Sequence, residues 1–164
     1  LQEKIDKLIK SEKSITNNYY TNNTQNIFKQ EIKMNAFREE NIDYLSTEYI
    51  MNIAKRGMYY AIPKLIEQIY FNEKHPENKN VKITNEKSKY ADIFNGKRFV
   101  KCAKNLVVRD MIHFTINIID EVCCEMKMPN SYHIFSDKYN DNNRLLMNSL
   151  FKKAEGIALT YSLK

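Results

Sequence analysis

Apolar positions change period several times along the chain, and each change marks an element. Leu1, Ile5, Leu8, Glu12 and Ile15 follow one another at intervals of four, three, four and three. That is a heptad seam, with Ile5 at a, Leu8 at d and one polar residue, Glu12, at an a position. It predicts the end of a coiled coil over 1–16, since two heptads are too short to associate alone. Ile9, at e, widens the stripe and makes trimers or tetramers as reasonable as dimers, and an amphipathic helix packed on its own domain is the alternative. Residues 17–26, reading NNYYTNNTQN, are polar, uncharged and poor in aliphatic side chains, so they read as a linker. The remainder, 27–164, reads as a single α+β domain.

Inside that domain, Ile27–Phe37 alternates in part and reads as a strand. Ser46 or Thr47 caps a helix through Arg56, and Gly57 supplies a left-handed stop. A second helix is expected to open near Pro63, where a missing N–H costs nothing, and to run to about Tyr70. After a loop over 71–80, Val81–Thr84 reads as a short strand. Tyr90–Lys101 reads as a hairpin closed by Asn95-Gly96, the pair preferred in a type I′ turn. A two-residue turn there pairs Phe94 with Lys97, Ile93 with Arg98, Asp92 with Phe99, Ala91 with Val100 and Tyr90 with Lys101.

The helical part covers about 103–160. Val107, Met111, Phe114, Ile118, Val122 and Met126 form the stripe of a helix from about Ala103 to Met128, ended by Pro129. Ile112, Ile116 and Ile119 widen the stripe, so this helix is expected to be buried on most sides. A last helix, about Lys138–Leu159, shows Leu146, Leu150, Ala154, Ile157 and Ala158 on one face. The expected fold is therefore α+β, a small antiparallel sheet with a hairpin flanked by helices and preceded by a coiled-coil or linker arm.

Composition adds mainly exclusions. A chain of 164 residues can bury a full core without disulfide or metal staples. No apolar run approaches the roughly 18 residues of a membrane span. Residue 1 is Leu rather than Met, which reads as a fragment or processed product with more protein before it. The 20 Asn, with many Lys, Ile and Tyr, have AT-rich codons and are discounted as functional signal. Cys102, Cys123 and Cys124 are odd in number, two are adjacent, and no C-x-x-C occurs, so reduced thiols in an intracellular compartment are expected.

Candidate catalytic chemistry is sparse. No nucleophile elbow, Walker loop or G-x-G-x-x-G is present. His75, His113, His133 and the cysteines lack metal-ligand spacing, so no metal, cofactor or enzymatic activity is expected. His75-Pro76-Glu77-Asn78 resembles a fragment of a His-Asn nuclease site, but this His precedes the strands, and a turn whose side chains bond the loop backbone fits better. His113, with Arg109, Asn117 and Asp120, reads as the exposed side of the long helix.

Charge changes the picture most. Between Lys79 and Arg109 lie nine basic residues (Lys79, Lys82, Lys87, Lys89, Lys97, Arg98, Lys101, Lys104, Arg109) against Glu86 and Asp92, a net +7 in a chain of +6. A local basic stretch of this kind is the electrostatic footprint of phosphate binding, although a merely solvated basic surface gives the same pattern. On the hairpin, one face carries Ala91, Ile93 and Val100, and the other carries Tyr90, Phe94 and Phe99 beside Lys97, Lys101 and Asp92. Aromatics among lysines suit base stacking. The expectation is nonetheless that this face packs under a helix, with Phe99 in the core and the lysine stems reaching out.

Several residues together form a recognisable pattern. Asn35-Ala36-Phe37, Glu40-Asn41-x-Asp43-Tyr44 and Ala61-Ile62-Pro63-Lys64-Leu65-Ile66 come in order. Phe71-Asn72-x-x-His75-Pro76-Glu77-Asn78-x-Asn80-Val81-x-Ile83-Thr84-Asn85 follows, then Tyr90 and Asn95-Gly96-Lys97. Over about 34–101 the chain resembles a domain that recurs in proteins of giant DNA viruses of the mimivirus type, often after a two-Cys, two-His zinc finger and a coiled-coil or Asn-rich stretch. Phe99 stands where that pattern has Trp. The resemblance implies a viral protein in the host cytoplasm, the viral factory or the virion, associated with DNA or RNA, and it does not imply an enzymatic activity. The candidate nucleic-acid contacts are Lys82, Lys87, Lys89, Lys97, Arg98, Lys101, Lys104 and Arg109, and the candidate self-association residues are Leu1, Ile5, Leu8 and Ile15. The competing function is an assembly module that associates with itself or docks on another viral protein.

Overall fold

A computed structural model of the chain describes residues 32–124 and 126–163. The heptad residues Leu1, Ile5, Leu8 and Ile15, the linker over 17–26 and the first five residues, 27–31, of the strand expected over 27–37 lie outside the described residues. Residues 32–37, the last part of that expected strand, form no strand. They run instead beside the turns, with Asn35 N donating to Glu77 O and Phe37 N to Phe94 O, both at 2.8 Å.

The unit Lys33–Lys164 is α+β, with five described helices and a three-stranded antiparallel sheet. Helix α1, Thr47–Lys55, is capped by Ser46, whose hydroxyl accepts from Tyr49 N at 3.2 Å. Gly57 follows at φ +111°, a backbone conformation glycine alone adopts readily, and it also opens α2, Met58–Tyr70. Pro63 therefore lies inside α2 and not at its start. The missing N–H leaves the Tyr59 carbonyl without its helical donor, and Lys153 Nζ, from a helix far along the chain, reaches that oxygen at 3.4 Å. Compensation from so distant a residue is invisible to local pattern.

Helix α3, Lys104–Cys123, follows β3 directly and is the centre of the packing, with α1, α2 and α5 around it. Its Val108, Met111, Ile112, Ile116 and Ile119 are buried against Ile62, Leu65, Ile66 and Ile69 of α2 and Leu146, Leu150, Ala154 and Ala158 of α5. It ends well before Met128, and Pro129 starts a further helix, α4 (Asn130–Asn140), that periodicity does not reveal. The expected Lys138–Leu159 helix is two pieces. Asn142 turns the chain at φ +53°, and Asn143 caps α5, Arg144–Ser162, by accepting from Leu146 N at 3.1 Å.

Strands β1 (Val81–Lys82), β2 (Tyr90–Phe94) and β3 (Phe99–Ala103) lie in that order. The hairpin is real but its turn is longer than expected. Phe94 pairs with Phe99, Ile93 with Val100, Asp92 with Lys101, Ala91 with Cys102 and Tyr90 with Ala103. Asn95 explains the slide: its side-chain oxygen accepts from Lys97 N at 3.1 Å and Arg98 N at 3.0 Å, closing a four-residue loop around Gly96 at φ +89°. A slide of two residues keeps every side chain on its expected face, because the strand period is two. Among the described residues no helix is long and apolar enough to cross a membrane.

Candidate nucleic-acid interface

Alternation along β2 and β3 divides the sheet. Val81, Ala91, Ile93, Val100 and Cys102 share one face, with Val81 and Ala91 buried and the helices α3 and α5 packed on the sheet. The opposite face carries Lys82, Tyr90, Asp92, Phe94, Phe99 and Lys101. None of these belongs to the buried core, and Tyr90 is 57% exposed. The expectation that this aromatic face lies under a helix, with Phe99 in the core, is thus corrected. A sheet this small has one face for its helices, and α3 takes the face bearing Ala91, the residue small enough for close approach.

The aromatic face has a defined geometry. Phe94 and Phe99 are cross-strand partners with ring centroids 5.5 Å apart and planes at 57°. Lys82 reaches across β2 to place Nζ 4.1 Å from the centroid of Phe99. Lys101 Nζ pairs with Asp92 Oδ1 at 2.8 Å, so the one carboxylate on this face is already neutralised. The result is a half-exposed aromatic surface edged by ammonium groups, able to present ring faces to planar bases and positive charge to a phosphodiester chain.

The candidate basic residues do not all gather there. Lys82 and Lys101 lie on the face, while Lys97 and Arg98 are exposed at the hairpin tip beyond it. Lys87 and Lys89 are exposed in the loop that enters β2, at the other end of the strand. Arg109 sits on α3 in an exposed stripe with His113 and Asn117. Lys104 must be removed from the candidate contacts. It is 9% exposed, ion-paired with Glu155 of α5, and donates to Glu86 O, so it locks the loop before β2 to the helical layer. A count of charge along the sequence cannot separate that buried lysine from its solvated neighbours. The count also misses Arg56, Lys138 and Lys153, scattered in sequence but gathered around Tyr59 and Tyr60.

The residues of the resemblance motif do a different job. Asn78 and Asn80 are fully buried, in and just after the tight turn Pro76–Asn78. Asn78 donates to Asn41 O at 2.7 Å and accepts from Asn41 N at 3.0 Å and from Asn35 Nδ2 at 2.9 Å. Asn80 Nδ2 donates to Ala36 O at 3.2 Å and Glu40 Oε1 at 2.9 Å. His75 stacks on Tyr44, centroids 3.4 Å apart, and its Nδ1 meets Glu77 Oε1 at 3.0 Å. The turn expected at His75–Asn78 is present, but its asparagines serve the segment 35–41 more than their own loop. They stitch that segment to the strand entrance and so hold β1 beside β2.

Glu40 is the exception in this seam. Burial pushes its carboxyl above the usual carboxylate range, against the hydrogen bonds from Arg38 N and Asn80 that favour the anion. Glu40 Oε2 and Asn80 Oδ1 are buried without a hydrogen-bond partner among the described residues. An unpartnered buried carboxylate oxygen adds to the cost of the anion and favours the neutral acid.

Among the described residues no group of His, Cys, Asp and Glu is placed to hold a metal ion. Cys102, Cys123 and Cys124 are free thiols, half-buried, buried and exposed respectively. No protein-family model, no curated protein and no solved structure matches the chain.

Proposed function

We propose that this domain is a non-enzymatic viral module that binds single-stranded nucleic acid on the outward face of its sheet, with the preceding arm supplying self-association. The observation that carries the reading is the half-buried pair Phe94–Phe99, outside the apolar core, with Lys82 poised over the ring and Lys101 and the hairpin tip beside it. Ring faces tolerate any base, and ammonium groups read charge, so binding is expected to be broad in sequence and steep in salt. A single strand fits better than a duplex because stacked, paired bases do not offer their faces.

Anisotropy of a labelled single-stranded oligonucleotide, followed from about 50 to 200 mM salt, tests this. Changing Lys82, Lys97 and Lys101 together to Gln is expected to shallow the slope of log K against log salt by about 2, at roughly 0.7 per lost phosphate contact. Absence of binding at about 50 mM salt would end the reading and leave the assembly module in its place.

A further inference from the structure

Away from the sheet, the junction between α1 and α2 meets α4 and the side of α5 around a cavity of about 600 Å3. Its aromatic lining is Tyr59, Tyr60 and Phe135, and its charged lining is Arg56, Lys138 and Lys153. No carboxylate lines it, and none of the three cations is in an ion pair among the described residues. Like charges gathered around one concavity repel, and an anion in the cavity removes that cost.

The rings and cations are organised. Tyr59 meets Phe135 edge to face, centroids 5.8 Å apart and planes at 88°. Arg56 lies over Tyr60 with its guanidinium carbon 3.8 Å from the centroid, and one of its terminal nitrogens donates to the Tyr60 hydroxyl at 2.8 Å. Lys153 is held by the Tyr59 carbonyl that Pro63 leaves without its helical donor. Tyr59 is 45% exposed, Tyr60 38% and Ile134 48%, which is much apolar ring and chain surface to leave in water at one spot.

A small inorganic anion would satisfy the cations and ignore the rings; an uncharged aromatic would do the reverse. The volume falls within the roughly 300–1,000 Å3 of small-ligand sites. We propose that this cavity binds a nucleoside phosphate, with the base against the exposed ring of Tyr59, which Phe135 braces from the core, and the phosphate among Arg56, Lys138 and Lys153. The chemistry is shared by a free mononucleotide and by the 5′-phosphorylated end of a strand. The inference rests on different residues from the sheet face and stands or falls separately from it.

Calorimetric titration of the full chain with adenosine monophosphate, adenosine and inorganic phosphate tests the proposal. The monophosphate is expected to bind saturably at one site, and adenosine or phosphate alone at least about tenfold more weakly. Exposed Arg56 and Lys138, changed together to Gln, should weaken the monophosphate by about tenfold or more while thermal unfolding stays in place, and Lys138→Arg should retain binding. Phe99→Ala, on the sheet, should leave it unaltered. A dinucleotide with a 5′-phosphate that binds more tightly than the mononucleotide identifies the strand end as the source, and weaker binding identifies the free nucleotide. No saturable heat up to about 5 mM monophosphate overturns the proposal. So does an affinity unchanged in the Arg56→Gln, Lys138→Gln protein, or inorganic phosphate binding as tightly as the nucleotide.

Discussion

Two neighbouring regions invert the usual distribution of side chains in opposite senses. The seam of Asn78, Asn80 and Glu40 is polar and buried, at 0%, 0% and 8% exposure, whereas the outer sheet face is aromatic and half in water. Polar atoms inside are tolerated when they are bonded, and Asn78 has a partner for both atoms of its amide. The seam therefore explains itself by the structure it holds. The aromatic face has no such internal account: Phe94 and Phe99 are half-buried, lie outside the apolar core, and meet each other and Lys82. An inversion that stabilises points to architecture, and one that does not points to a ligand.

That contrast can be broken from either side. The largest effect is expected at the seam. Asn78→Ala leaves both backbone groups of Asn41 without their partner and should cost about 3 kcal/mol in denaturant unfolding. Equal stability would mean that the seam is dispensable. The next effect belongs to the outer face, where Phe99→Ala should weaken single-strand binding by about 1–3 kcal/mol. Its unfolding free energy should fall by much less than the roughly 3–5 kcal/mol of a core phenylalanine. A stability loss of the core size would place Phe99 back among the architectural residues.

The smallest effect concerns Glu40. Because its folded value is raised above 4.5, the folded state binds the proton more tightly than the unfolded state. That contribution is fully present below the unfolded value and is lost as pH rises through the folded one. Glu40→Gln carries a permanent donor, so it should gain on the wild type by about 1 kcal/mol at neutral pH and lose that advantage near pH 4. Melting temperatures of both proteins at the two pH values check this, and a difference independent of pH would show that Glu40 keeps its charge in the fold.

Much of the architecture is legible in the sequence where its causes are local. Ser46 and Gly57 bound α1, alternation gives β2 and β3 their faces, and the wide apolar stripe marks α3 as central. The failures share one physical origin, a partner distant in sequence or a side chain acting as backbone. Pro63 sits mid-helix because Lys153 serves the freed carbonyl. The hairpin turn lengthens because the Asn95 amide stands in for a backbone acceptor. The break at Asn142 hides in an asparagine-rich run that composition had already made uninformative. At the candidate interface, alternation sorts the residues correctly onto two faces, but it does not say which face the helices cover. The second basic group was illegible because folding alone assembles it.

The clasp made by Asn78 also sets an order of events. Its bonds to Asn35 and Asn41 span 43 and 37 residues, so each closes a long loop whose ends must be found before any bond is made. The hairpin needs no such search, since Phe94 and Phe99 are joined by four residues. The clasp should thus form after the sheet's own pairing and release before it. The Asn41 amide proton then exchanges with solvent water through a partial opening that leaves α3 and the hairpin shut, and its exchange rate becomes a clock for the entrance to β1.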